Sequence, residues 1–138
     1  MSIVGFGESQ MDDYLKEVLA PASRTISADG ESAKGYFYRS DQINFARKGV
    51  PVLYVHSGLD KLDGGKPAGL AASEDYTKNR YHKPADRYDP HWDLAGVIED
   101  VQALYAVGKR LADESTVPQW AADSEFKSAR DTAKAPAK

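Results

Sequence analysis

The chain contains no cysteine, which rules out both a disulfide framework and a thiolate zinc site. Histidine is nearly as scarce. His56, His82 and His91 are the only imidazoles, so any metal would have to be held by these and by carboxylates. Positive charge is not in excess, and a formal net charge of −3 gives no electrostatic reason to pair the chain with nucleic acid or an anionic membrane. No apolar run is long enough to span a bilayer. The opening M-S-I-V-G-F-G lacks the basic start and apolar core of a signal peptide, so a soluble protein of unknown compartment is expected. What is present is ordinary for a globular chain. Of its 138 residues, 41% are hydrophobic and 28% charged, enough for one modest domain with a core.

Periodicity places the elements. Residues 3–6 form a short apolar run ended by Gly7 and read as a buried strand. Ser9 then caps a helix through Leu19, with Asp12 at the acid position of a capping box. Met11, Tyr14, Leu15, Val18 and Leu19 share one stripe, and Pro21 stops it. A second short strand is expected at residues 25–27. After a polar loop and the aromatic run Tyr36-Phe37-Tyr38, Ser40 or Asp41 caps a brief helix. That helix ends at Gly49, a residue suited to a left-handed C-cap.

V-P-V-L-Y-V (residues 50–55) is the strongest strand, apolar throughout as in a sheet covered on both faces. Residues 57–72 carry no periodicity and read as loop. The last long helix is expected to begin at Asp89-Pro90, with proline in its first turn. Its apolar face is Leu94, Val97, Ile98, Val101, Leu104, Tyr105 and Leu111, through about Asp113. One amphipathic turn around Phe126 follows Pro118. The division expected is a single incomplete domain over residues 1–130 and a frayed tail over 131–138. Alternating strands and helices indicate an α/β layer with partly parallel pairing. Two or three strands make a small sheet whose open edges invite another chain, so the pattern is that of part of a larger domain.

Three segments carry a resemblance. They are V-G-F-G-E-S-Q-M-D-D-Y-L (residues 4–15), G-Y-F-Y-R-S-D-Q-I-N-F-A-R-K-G-V-P-V-L-Y (residues 35–54) and R-Y-H-K-P-A-D-R-Y-D-P (residues 80–90). In order and spacing they resemble the C-terminal part of the co-catalytic zinc aminopeptidases, the M-twenty-eight metallopeptidase family, over about residues 3–130. The resemblance implies a partial three-layer α/β/α sandwich with a small mixed sheet. It also implies a parent reaction of N-terminal peptide-bond hydrolysis at two zinc ions, and relatives that are often exported. By position, His82 matches the family's last zinc ligand. Tyr81 matches the hydroxyl beside it that can stabilise the oxyanion, and Asp41 matches an acid lining the same pocket. Asp86 matches the aspartate downstream of the histidine, a partner that orients the ligand or forms the turn.

Two departures qualify the match. Gln42 stands where the family usually has histidine. The family's first histidine, bridging aspartate, glutamate pair and second aspartate precede the matching region and have no counterpart in this sequence. A two-metal centre holds its ions roughly 3.5–4 Å apart among several anionic ligands, and even one catalytic zinc needs about three protein ligands. A single imidazole meets neither demand. The expectation is therefore a peptidase fragment with no zinc of its own, inactive alone and receiving peptide only if completed by the missing half. The alternative is a non-catalytic assembly module that forms a homo-oligomer or pairs with a partner chain through uncovered apolar surface.

Simpler readings stand beside each residue. His82 can be an unmetallated turn histidine, Tyr81 a packing residue, and Asp41 an N-cap. His91-Trp92-Asp93 imitates an H-x-D metal motif, but in a first helical turn side chains two apart diverge by about 200°. Gly5 and Gly7 imitate a dinucleotide fingerprint, which fails because position 10 is Gln10. His56 reads as a strand-end side chain, and no Ser-His-Asp triad is supported.

Overall fold

The computed structural model describes residues 1–134. Its centre is β1 (Ser2–Val4), which lies between β2 (Ser27–Ala28) and β3 (Tyr54–His56) in the order β2-β1-β3. β1 runs parallel to β2 and antiparallel to β3. The sheet is therefore small and mixed, as expected.

Strand alternation sends successive side chains to opposite faces. Ile3 packs with Met11, Leu15 and Leu19 of α1 (Met11–Leu19) and with Ala103 and Val107 of α4 (Ala95–Asp113). Val4 packs on the other face, with Ile43 and Ala46 of α2 (Gln42–Ala46) and with Phe37, Trp120 and Phe126. Residues 52–55 repeat the division: Leu53 and Val55 join the first cluster, Val52 and Tyr54 the second. Helices on both faces of one sheet make the partial α/β/α sandwich. Val52 and Leu53 face the two layers, yet only Tyr54–His56 is laddered. The three-residue β1 leaves the rest of that run no strand to bond.

β1 ends before Phe6, not at it, because Gly5 turns the chain with φ +81°. A Cβ on Gly5 would lie 2.6 Å from the Phe37 ring, so only glycine fits both the conformation and the contact. The capping box at α1 does not form. The helix starts one residue later, with Gln10 at its N-cap. Asp12 Oδ2 accepts from the Gly7 N–H at 2.6 Å, and Ser9 Oγ accepts from the Met11 N–H at 3.3 Å. Asp41 occupies the N-cap position of α2, but its side chain makes no capping bond.

Three expectations about helices need correction. The supposed loop at residues 57–72 contains most of a further helix, α3 (Gly65–Asn79). Its Pro67 lies in the first turn, where a missing N–H costs nothing. Gly69, its one buried residue, lets the Leu59 carbonyl approach to where a Cβ would clash at 1.8 Å. The last long helix, α4, starts at Ala95 and not at Pro90. Its first turn is fixed by Asp93 Oδ1 accepting from the Ala95 N–H at 2.9 Å. The face of α4 that is buried is Asp100, Ala103 and Val107, whereas Leu94, Val97, Ile98, Val101, Leu104 and Tyr105 are all exposed.

Beyond Pro118 the chain folds back over the second face, where Trp120 Nε1 donates to the Gly49 carbonyl at 3.1 Å. Helix α5 (Lys127–Lys134) then runs through residues 131–134, the first part of the expected tail. The remainder of that tail lies outside the described residues.

Polar contacts lock α1 to α4. Arg110 stacks over the Tyr14 ring at 3.9 Å and bridges Glu17 at 2.5 Å and Glu114 at 2.6 Å. The Tyr14 hydroxyl donates to Glu114 Oε2 at 2.6 Å. Deeper in, Asp100 accepts from Ser57 Oγ at 2.6 Å and from the Arg24 guanidinium.

The Tyr14 hydroxyl and Arg110 hold the Glu114 carboxyl below the usual carboxylate range. A depressed folded value contributes stability that is present above the ordinary value near 4.5 and lost as pH falls through the lower folded one. Urea titrations should therefore show Tyr14→Phe less stable than wild type at neutral pH, with the gap closing on acidification below that value. Leu15 is fully buried, and Leu15→Ala should cost about 3 kcal/mol in the same assay.

Candidate functional site

The Y-H-x-P-x-D segment follows α3 directly, and the helix end shapes it. The N–H groups of Arg80 and Tyr81 both donate to the Tyr76 carbonyl at 2.9 Å. The chain then enters the left-handed region at His82, with φ +54°. That conformation costs a non-glycine residue about 1–2 kcal/mol, and such outliers gather at binding and catalytic positions. Two further turns follow, with the Lys83 N–H donating to the Arg80 carbonyl and the Asp86 N–H to the Lys83 carbonyl, both at 2.9 Å.

These turns bring two of the motif side chains together. The Tyr81 and His82 rings stack with centroids 3.9 Å apart and planes 20° from parallel. Both residues are exposed, so the imidazole and the phenol are presented as one platform. Asp86 is drawn back to α3, where the Tyr76 hydroxyl donates to its Oδ2 at 2.9 Å. That bond to a carboxylate pushes the Tyr76 phenol up from its ordinary value. Tyr76 is the residue that reading the sequence missed. Its signal was hidden because α3 looked like loop at its start.

Asp41 belongs to a different element. Among the described residues, no hydrogen bond, ion pair or ring contact joins it to residues 80–90. Its neighbour Gln42 donates from Nε2 to the Phe37 carbonyl at 2.9 Å, tying α2 to the preceding 3₁₀ turn (Tyr36–Arg39). His56 is exposed at the end of β3, beside the Tyr54 ring at 5.0 Å. His91 and Asp93 lie in the turn before α4, not in its first helical turn, and Asp93 is engaged with the Ala95 N–H. A groove of about 710 Å³ runs along α1 past Phe6, Asp12, Lys16 and Arg24. It contains none of Asp41, Tyr81, His82 and Asp86.

Zinc provides a direct test of fit. Three protein donors must converge, and among the described residues no three His, Cys, Asp or Glu side chains are grouped to hold an ion. His82 offers one nitrogen, and the nearest downstream acid is held by a tyrosine. These residues do not by themselves fit a zinc centre. The site can present an imidazole and a phenolic donor side by side, and it lacks a metal cage.

His82→Gly should relieve the left-handed strain. Amides of residues 80–87 are expected to exchange more slowly by about 1 kcal/mol of opening free energy, read by hydrogen–deuterium exchange. Faster exchange would show that the stacked imidazole outweighs the backbone cost.

Among the described residues, no helix is long and apolar enough to cross a membrane. No curated protein and no solved structure matches the chain. The family model described as Peptidase family M28 matches residues 2–106, from β1 into α4, and so takes in Asp41, Tyr81, His82 and Asp86. On that match the chain belongs to peptidase family M28, a metallopeptidase family that is generally zinc-dependent.

Proposed function

We propose that the chain is the portion of an aminopeptidase-type domain that carries its last zinc ligand, His82, and the neighbouring oxyanion donor, Tyr81. The parent reaction is hydrolysis of an N-terminal peptide bond. The observation that carries this reading is the family match over the whole Y-H-x-P-x-D segment, with a strained His82 backbone at its centre. In a complete site the exposed Tyr81 hydroxyl donates to the developing oxyanion, a role that needs a donor about 2.7–3.1 Å from that oxygen. Stacking against Tyr81 fixes the plane of the imidazole. Asp86, tied to Tyr76, holds the turn that aims both rings, and Asp41, at the start of α2, is by the family match the pocket acid.

By itself the chain is inactive in this reading, because one imidazole cannot supply a metal's coordination. The remaining donors and the general base come from another segment of the family's domain. A second reading, a non-catalytic assembly module, is favoured by one observation: the uncovered apolar face of α4.

Elemental analysis after dialysis against zinc, together with an aminoacyl-anilide assay, tests the first reading. The expected result is less than one tightly held zinc per chain and no turnover above buffer. Stoichiometric zinc with turnover that His82→Ala abolishes would overturn it.

A further inference from the structure

We infer that the exposed apolar face of α4 is a self-association surface on which a second copy of this chain packs antiparallel. Leu94, Val97, Ile98, Val101, Leu104 and Tyr105 recur at three- and four-residue spacing, so they form one stripe. They are 38–71% exposed. The opposite side of α4, through Ala103 and Val107, is already packed on α1 and the sheet, and among the described residues nothing covers this stripe.

Size favours a second copy. With Tyr88 and Trp92, whose rings meet edge to face at 5.6 Å, the exposed parts of the stripe amount to on the order of 800 Å². That is one side of a standard interface. A solitary monomer rarely leaves a patch this large in water. Gly108 continues the stripe one turn on. A Cβ there would meet nothing within 4 Å, so the chain's own packing does not call for glycine, which costs about 1 kcal/mol against alanine inside a helix. A close-lying second helix would call for it.

Charge sets the orientation. The approach to the stripe is acidic, with Asp89 and Asp93, whereas Glu99 lies off it, paired with Arg24. Its far end is neutralised by the Lys109–Asp113 pair. A parallel pairing would set acid against acid. An antiparallel pairing centred near Val101 places each acidic end against the neutralised one and opposes the two helix dipoles. The stripe holds no charge between Leu94 and Gly108, as the centre of a symmetric apolar interface requires.

This inference stands apart from the peptidase reading, and its experiment separates the two. Sedimentation equilibrium of the full chain at micromolar concentration should give about twice the 15.1 kDa mass. Val101 is 59% exposed, so Val101→Lys should keep the wild-type circular dichroism spectrum while weakening self-association ~100-fold or more. Because the sequence has no cysteine, Val101→Cys reports proximity without interference. It should form a disulfide-linked dimer on mild oxidation, and Ser128→Cys on the exposed side of α5 should not. A 15.1 kDa monomer, or a dimer indifferent to Val101→Lys with no cross-link at 101, overturns the inference. A monomer whose α4 face instead binds a separately expressed remainder of a family peptidase overturns it while supporting the function proposed above. A cross-linked dimer whose chain alone hydrolyses substrate supports it and sinks that function.

Discussion

The three residues of β1 join the layers of this molecule. Ser2, Ile3 and Val4 are all buried, and strand alternation gives one apolar side chain to each face. Ile3 anchors the α1–α4 layer, while Val4 anchors the aromatic layer of Phe37, Trp120 and Phe126. Neither cluster of buried residues reaches the other except through this strand and the parallel division of residues 52–55. So short a ladder cannot hold the layers by hydrogen bonds alone. The side contacts matter correspondingly more: the Arg110 clasp between α1 and α4, and the Trp120 indole on the Gly49 carbonyl.

α4 carries more apolar surface than the fold uses. Apolar side chains cover well over half its circumference, yet the body of the chain buries only the side bearing Ala103 and Val107. Small residues on that side let the helix lie close to α1. The larger ones, Val101 and Tyr105 among them, are left outside. Asp100 enters the buried side because Arg24 and Ser57 satisfy its carboxylate, which makes its partial burial tolerable.

Much of this was legible in the sequence, and the failures have physical causes. The α1 stripe was clear because Met11, Leu15 and Leu19 repeat on one face and nothing competes with them. The two-faced character of residues 52–55 was clear because the run is apolar without interruption. Its hydrogen-bonded length was not, since that depends on β1. α3 was hidden because Gly65, Pro67 and Gly69 are loop signals by composition. Each is tolerable here, the proline by position and Gly69 by its contact with Leu59. Periodicity identified an apolar face on α4, but a helix with two apolar faces does not announce which one the fold will use. At the site, the motif itself was readable from residues 80–90. The Tyr76–Asp86 bond was not, because it spans ten positions across a helix end. Backbone strain at His82 leaves no trace in residue identity.

Gly69 connects these regions. It is the single buried residue of α3, seated against the Leu59 carbonyl, and every residue from Tyr81 to Glu99 is exposed. The α3 helix is therefore seated on the body of the molecule at a glycine, with the imidazole–phenol platform just past its far end. A methyl group there would collide with the Leu59 backbone, so the position of His82 depends on a side chain's absence more than ten residues away.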